Sequence, residues 1–182
     1  MTNLKEIVDH LKDRYGEIYF QDVPFVDDVE TFNKTFGKPN NYKPTIPEDE
    51  KLLNFVIDFI KEETEELEEA IKNRDIVEIL DAICDLLYVA IGNATMVFGL
   101  KDKLIDAFNE VQASNMSKAC DNYEDALETA EVRAREHGPC VIREVDGKFI
   151  VYRKSDDKVM KNINYFAPDL KQFFTDDELS GI

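Results

Sequence analysis

The sequence predicts a mainly α-helical protein that ends in a small β-hairpin, and three observations carry that prediction. Apolar residues recur at helical spacing between residues 47 and 137, punctuated by Gly99 and Gly138. Beyond residue 139 the apolar period changes to two, around an Asp146-Gly147 pair of the kind that makes a hairpin turn. No internal repeat interrupts the pattern, and 182 residues suit one domain, 1–182, with a helical core at 47–118 and a hairpin-and-tail appendage at 139–182.

Residues 3–15 open the chain with a helical period (Leu4, Ile7, Val8, Leu11), Asn3 as cap and Gly16 as stop. Tyr19 to Pro24 is irregular, and a short helix around 26–36 ends at Gly37. Lys38 to Pro47 holds three prolines and two asparagines and reads as a loop. Pro47 is placed to open a long helix over 47–73. Asn73-Arg74-Asp75 is a tight connection into a second helix, 76–98, which Gly99 closes.

A third helix follows at 101–118, with Leu104, Phe108 and Val111 on its buried side and the polar Asn115 and Lys118 continuing that side. The fourth, 123–137, starts after Asn122, is amphipathic and carries solvated charges. Cys140–Val145 and Lys148–Arg153 are the two strands. The basic residues of the segment 141–161 (Arg143, Lys148, Arg153, Lys154, Lys158, Lys161) contrast with an acidic protein. The tail, Asn164 to Leu170, reads as an aromatic clamp onto the body.

A net charge of -17 excludes a nucleic-acid backbone or an anionic membrane as the main partner. It also means that a phosphate-bearing ligand would need cations. Cys84, Cys120 and Cys140 have no metal-binding spacing, and Cys84 falls inside a helix expected to be buried. They read as reduced thiols in the cytoplasm. Met1 to Glu6 is no signal peptide, and the apolar run Leu86 to Leu100 is short and broken by Gly92 and Asn93, so a soluble protein is expected.

Two acidic stretches stand out against this background. In the helix 47–73, Leu52, Val56, Phe59, Ile60, Leu67 and Ala70 gather on one side at about 100° per residue. Glu63 falls near the middle of that side and Glu66 at its edge, while Glu62, Glu65, Glu68 and Glu69 point away. The second helix is apolar around most of its girth, and its one polar strip carries Glu78, Asp81 and Asp85, then Tyr88, Gly92 and Thr95, without a Lys or Arg. A glutamate run is ordinarily a solvated face, and Asp75 with Glu78 also fits a capping box. An inward Glu63 and a cation-free strip both break ordinary patterning. If the helices pack as an antiparallel hairpin, Glu63, Glu66, Glu78 and Asp81 meet in a low-dielectric cleft that demands protons or a cation. An all-oxygen donor set suits Mg²⁺ or Mn²⁺.

Glu63-x-x-Glu66, eleven intervening residues and Glu78-x-x-Asp81 resemble the motif of the all-α nucleoside triphosphate pyrophosphohydrolases, the MazG-like superfamily. Asp81-Ala82-x-x-Asp85-Leu86-Leu87-Tyr88-Val89, Gly92 and Ser114-Asn115-Met116-Ser117-Lys118 are closer to its phosphoribosyl-ATP pyrophosphohydrolase-like branch. The likeness covers about residues 25–118, with a weaker echo from Lys158 to Leu170.

The resemblance implies a helical bundle and a metal-dependent hydrolase that splits a nucleotide between its α and β phosphates, giving a monophosphate and pyrophosphate. Glu63, Glu66, Glu78 and Asp81 would ligate magnesium, with Glu62 or Asp85 orienting water or holding a further ion. Tyr88, Asn115 and Lys118 would meet the substrate, and Lys118 would also oppose charge on the leaving group. Relatives assemble as dimers or tetramers, and the apolar girth of the helix 76–98 agrees with a homo-oligomer. Phosphoribosyl-ATP hydrolysis in histidine synthesis and a non-catalytic nucleotide or metal sensor are the alternatives. A di-iron centre would need Glu-x-x-His pairs, which His10 and His137 do not make, and there is no EF-hand loop.

Overall fold

The computed structural model describes residues 25–181 and is mainly helical, with one two-stranded hairpin near its C-terminus. The expected helix at 3–15 and the irregular stretch Tyr19 to Pro24 lie outside the described residues. In chain order the elements are α1 (Phe25–Thr35), α2 (Glu50–Asn73), α3 (Ile76–Gly92), α4 (Lys101–Met116), α5 (Tyr123–His137), β1 (Cys140–Val145), β2 (Lys148–Arg153), a 3₁₀ turn (Leu170–Phe173) and α6 (Asp176–Ser180). They form two compact units, one running to Asp102 and taking in the stretch from Asp176, the other comprising Lys103–Thr175.

In the first unit α2 and α3 pack as a hairpin, with α1 against α3. The long helix opens at Glu50, three residues after Pro47, because Asp49 supplies the cap by accepting from the Lys51 N–H at 2.9 Å. Arg74, at φ 57°, ends it in the left-handed conformation and donates its N–H to the Ala70 and Ile71 carbonyls. Asp75 then caps α3 by accepting from the N–H groups of Val77 and Glu78. Only half of a capping box forms, since the Asp75 N–H goes to the Ala70 carbonyl and leaves the Glu78 carboxylate out of the cap.

Past Gly92, α3 widens into a π-helical turn, Asn93–Val97. The proline-rich loop lies over it: Asn41 N donates to the Thr95 carbonyl, Asn41 Nδ2 to that of Val97, and Thr45 N to that of Phe98. Gly99, at φ 64°, ends the segment hard against Lys43. Val29, Val56, Ala70, Ala82 and Val97 are the buried apolar residues here. Glu30 is buried beside them. It accepts from Lys101 at 2.7 Å and Tyr42 at 2.9 Å and pairs with Lys34 at 3.1 Å, and these partners hold its carboxyl down at about 2.

Cys84 departs from expectation: it is exposed. Ile76, Val77, Leu80, Ile83 and Leu87 are exposed with it, so much of the apolar girth of α3 is uncovered among the described residues.

The second unit is built on Cys120, Ala126, Val151 and Met160, with Ile142 and Phe149 packed on them. The strands pair antiparallel from Cys140 with Arg153 to Val145 with Lys148, through Asp146 and Gly147, both at positive φ as a type I′ turn requires. The buried side expected for α4 needs correcting at Phe108, which is 68% exposed. The inward stripe instead runs through Leu104, Ala107, Val111 and the buried Ser114. The tail also docks differently. Ser114 Oγ donates to the Phe166 carbonyl at 2.9 Å and Asp169 N donates to Glu110 at 3.0 Å, while Phe166 and Leu170 remain exposed. Polar contacts, rather than buried rings, hold it to α4.

The basic hairpin is locally neutralised. Arg143 pairs with Asp157 at 2.6 Å, Lys148 with Asp121, and Arg153 with Asp156 through two bonds at 2.8 and 2.6 Å.

Candidate functional site

In an antiparallel helix hairpin, residues equally far from the turn face one another. Glu63 stands eleven residues before Arg74 and Asp85 eleven after it, while Glu66 and Asp81 stand eight before and seven after. The ligand oxygens of Glu63, Glu66 and Asp85 accordingly lie within 4.8 Å of one another. Glu63 is half-buried and Glu66 is exposed. Burial raises the Glu63 carboxyl above its ordinary value, and Asp85, Glu66, Glu62 and Asp81 add to it in that order.

Closer to the turn, Glu66 and Glu69 from α2 and Glu78 and Asp81 from α3 line a groove of about 400 Å³, floored by Ala70 and Ala82. Glu66 therefore belongs to both places. The small side chains of Ala70 and Ala82 let the helices approach and leave the longer acidic side chains at the groove's edges. The expected low-dielectric cleft needs correcting: Glu66, Glu78 and Asp81 are exposed.

The expected residues thus divide. Glu63, Glu66 and Asp85 come together, Glu78 and Asp81 adjoin them through the groove, and Glu62 is exposed on the next position of α2. An all-oxygen set with a protonation-prone member fits a hard divalent cation such as Mg²⁺ or Mn²⁺. Tyr88 lies one turn beyond Asp85, edge-on to Phe32 with ring centroids 5.5 Å apart. Burial, and then Asp28, raises its phenol above the ordinary value. Asn115 and Lys118 belong to the second unit, where Lys118 Nζ donates to Asn115 Oδ1 at 2.7 Å just past the end of α4. In the same run Ser117 Oγ donates to the Ser114 carbonyl, and the two serines hold the tail at Phe166.

Sequence reasoning missed one part of the first unit. Phe32, Phe55, Phe59, Tyr88, Asn93 and Met96 line a cavity of about 160 Å³ among α1, α2 and α3. Its signal was available as Phe55 and Phe59 one turn apart and Asn93 inside the most apolar run.

Residues 29–115 match the family described as phosphoribosyl-ATP pyrophosphohydrolase. The chain is also 40% identical over 75 residues to a protein of Acanthamoeba polyphaga mimivirus described as uncharacterised. That match spans 40% of this chain and 30% of the viral protein's length. The matched family segment contains the whole α2–α3 hairpin with its carboxylates. Residues 29–115 are thus similar to the phosphoribosyl-ATP pyrophosphohydrolase family, a likeness consistent with the all-α nucleoside triphosphate pyrophosphohydrolase superfamily.

Proposed function

We propose that this protein hydrolyses a nucleoside triphosphate or related nucleotide between the α and β phosphates, releasing a nucleoside monophosphate and pyrophosphate. The observation that carries the reading is the convergence of Glu63, Glu66 and Asp85 on α2 and α3, within a segment similar to a pyrophosphohydrolase family. In this reading those three residues hold Mg²⁺ or Mn²⁺, and Glu78 and Asp81 serve a second ligand position along the groove. When bound there, the ion would offset phosphate charge and lower the pKa of a coordinated water.

The chain's own part is to gather and orient. The hairpin fixes the carboxylates from two rigid helices, so little reorganisation is needed when charge develops at the α phosphorus. In this reading Glu62, an exposed neighbour of Glu63, would accept the water's proton. Hydrolysis of phosphoribosyl-ATP is the second reading, favoured by the description of the matched family.

Self-association into a homodimer or homotetramer is part of the same proposal, supported by the exposed Ile76, Val77, Leu80 and Leu87 on α3. Sedimentation of the purified chain tests it, and a monomer at micromolar concentration would refute it. A cytoplasmic location is proposed from the reading of the cysteines as reduced thiols.

Turnover of a nucleotide panel, phosphoribosyl-ATP included, in ¹⁸O-labelled water with magnesium tests the chemistry. The label should enter the monophosphate. A nucleoside diphosphate as first product, or label in the pyrophosphate, would overturn attack at the α phosphorus.

A further inference from the structure

The hairpin of the second unit has one covered edge and one open edge. Along β2 the outer backbone groups find partners. The Phe149 N–H and carbonyl both bond Cys120 at 2.9 Å, Met160 N donates to the Val151 carbonyl at 2.8 Å, and Arg153 N donates to the Lys158 carbonyl at 2.9 Å. In an antiparallel ladder, residues opposite each other turn their backbone groups either both toward the partner strand or both away from it. Phe149, Val151 and Arg153 turn theirs away from β1, and their register partners are Glu144, Ile142 and Cys140. The bond from Lys154 N to the Pro139 carbonyl, one pair further on, fixes the same phase. Cys140, Ile142 and Glu144 therefore direct their N–H and C=O groups out along the free side of β1. No described residue bonds to those groups.

Natural edge strands are ordinarily blunted by lysine, by proline or by a bulge. β1 has none of these. Its register with β2 runs one to one from end to end, and Cys140–Val145 contains neither lysine nor proline. Its one cation is drawn over β2: the Arg143 guanidinium lies 4.6 Å from the Tyr152 ring centroid and pairs with Asp157 at 2.6 Å. Exposure rises along the strand to Arg143, Glu144 and Val145.

The occupant follows from the strand's self-complementarity. A second copy related by a two-fold axis meets β1 antiparallel, with outward residues set against outward residues. Centring on Ile142 pairs Ile142 with itself and Cys140 with Glu144 of the second copy, so every outward residue of the strand is used. Val141 then faces Arg143 of the second copy, and no two like charges are opposed. Centring on Arg143 leaves Cys140 out and sets the two arginines face to face. Centring on Glu144 opposes two carboxylates. Like charges directly opposite are destabilising, which disfavours both. Centring on Val141 leaves Glu144 without a partner.

We propose that β1 is a self-association edge, at which the strands of two copies pair antiparallel about Ile142 and join their hairpins into one four-stranded sheet. This interface belongs to the second unit and uses none of the α3 residues invoked above, so either can fail without the other.

Glu144→Pro tests the edge without breaking the hairpin, because the Glu144 N–H points outward and takes no part in the β1–β2 ladder. In sedimentation equilibrium of the full-length chain, Glu144→Pro should halve the wild-type mass with an unchanged circular dichroism spectrum. Cross-linking tests the register. In a Cys84→Ser background, Glu144→Cys sets a thiol across from Cys140 of the second copy. The Cα atoms of such a hydrogen-bonded pair are ~5.5 Å apart, a span that a disulfide bridges. Mild oxidation should give a covalent dimer, and adding Cys140→Ser should prevent it. A wild type that is monomeric at every concentration, a folded Glu144→Pro of wild-type mass, or a cross-link that survives Cys140→Ser would overturn the proposal. Should Glu144→Pro fail to fold, absence of the cross-link overturns it instead. An edge that serves a strand of some other protein would leave the purified chain without this dimer. A monomeric Glu144→Pro beside a cross-linked Glu144→Cys would reject the α3 face alone, and an oligomer untouched by Glu144→Pro would reject the edge alone.

Discussion

Replacing Gly99 by alanine should cost far more stability than the same change at Gly37, although both glycines have φ 64°. At Gly37 an added Cβ meets nothing within 4 Å. The cost there is the left-handed conformation alone, about 1–2 kcal/mol. At Gly99 the Cβ would collide with the Lys43 carbonyl and lie 2.9 Å from its nitrogen. Backbone cannot swing aside as a side chain can, so the loop must lift off the π-helical turn. Three hydrogen bonds pin it there, at 3.1 to 3.2 Å. Losing one or two, at roughly 0.5–1.5 kcal/mol each, brings the total to about 2–5 kcal/mol. For a chain of this size each kcal/mol lowers Tm by about 2–4 °C, so Gly99→Ala should fall by roughly 5–20 °C and Gly37→Ala by roughly 2–8 °C. Thermal unfolding by circular dichroism, run on both variants side by side, measures the difference. Equal losses would refute the argument that the loop is seated against Gly99.

Other outcomes concern charge. The Glu30 carboxyl is held at about 2, below its ordinary 4.5, by Lys101, Lys34 and Tyr42. A depressed folded value gives stability that is present above the unfolded value and lost as pH falls from 4.5 toward 2. Urea unfolding of Glu30→Gln should therefore be less acid-sensitive than wild type over that range, and parallel curves would contradict the pairing. Glu63 has the opposite sign: burial and then Asp85 raise its carboxyl, so metal-free stability should decline as pH rises above the ordinary carboxylate range. Glu63→Gln should flatten that decline and leave the metal-free protein at least as stable at neutral pH; a clear loss would give Glu63 a structural role. Arg153 is already paired twice with Asp156, so Arg153→Ala should lower Tm slightly and leave the KM for nucleotide unchanged. A raised KM with intact Tm would show that the hairpin touches substrate.

What the sequence disclosed was local. Glycines, caps and period gave the limits of α5 and the register of the hairpin, because Asn122, Gly138 and Asp146-Gly147 act on their own neighbours. Pro47 misled by three residues, since a proline can open a helix but Asp49 is the better cap. The pairing of Glu63 with Asp85 follows from helical spacing on both sides of a short turn, and so could be anticipated from positions alone. The exposure of Glu66, Glu78 and Asp81 could not, because burial depends on what covers the groove. Phe108 failed for the same reason: hydrophobicity says what a side chain prefers, while the stripe through Ala107 and Ser114 was set by the tail that Ser114 binds. The π-helical turn was also invisible. Nothing in Asn93–Val97 announces the extra residue per turn, and the loop that ties it lies more than fifty residues earlier.

The central claim is that Glu63, Glu66 and Asp85 form one cation site. The most direct test titrates the metal-free chain with Mn²⁺ and follows loss of the free-ion electron paramagnetic resonance signal. Wild type should bind the ion, and Glu63→Gln and Asp85→Asn should each weaken it by tenfold or more, about 1.4 kcal/mol. Glu65→Gln, on the outward side of the same helix, should bind as wild type does. No Mn²⁺ binding by the wild type, or equal affinity in all three variants, would contradict the account.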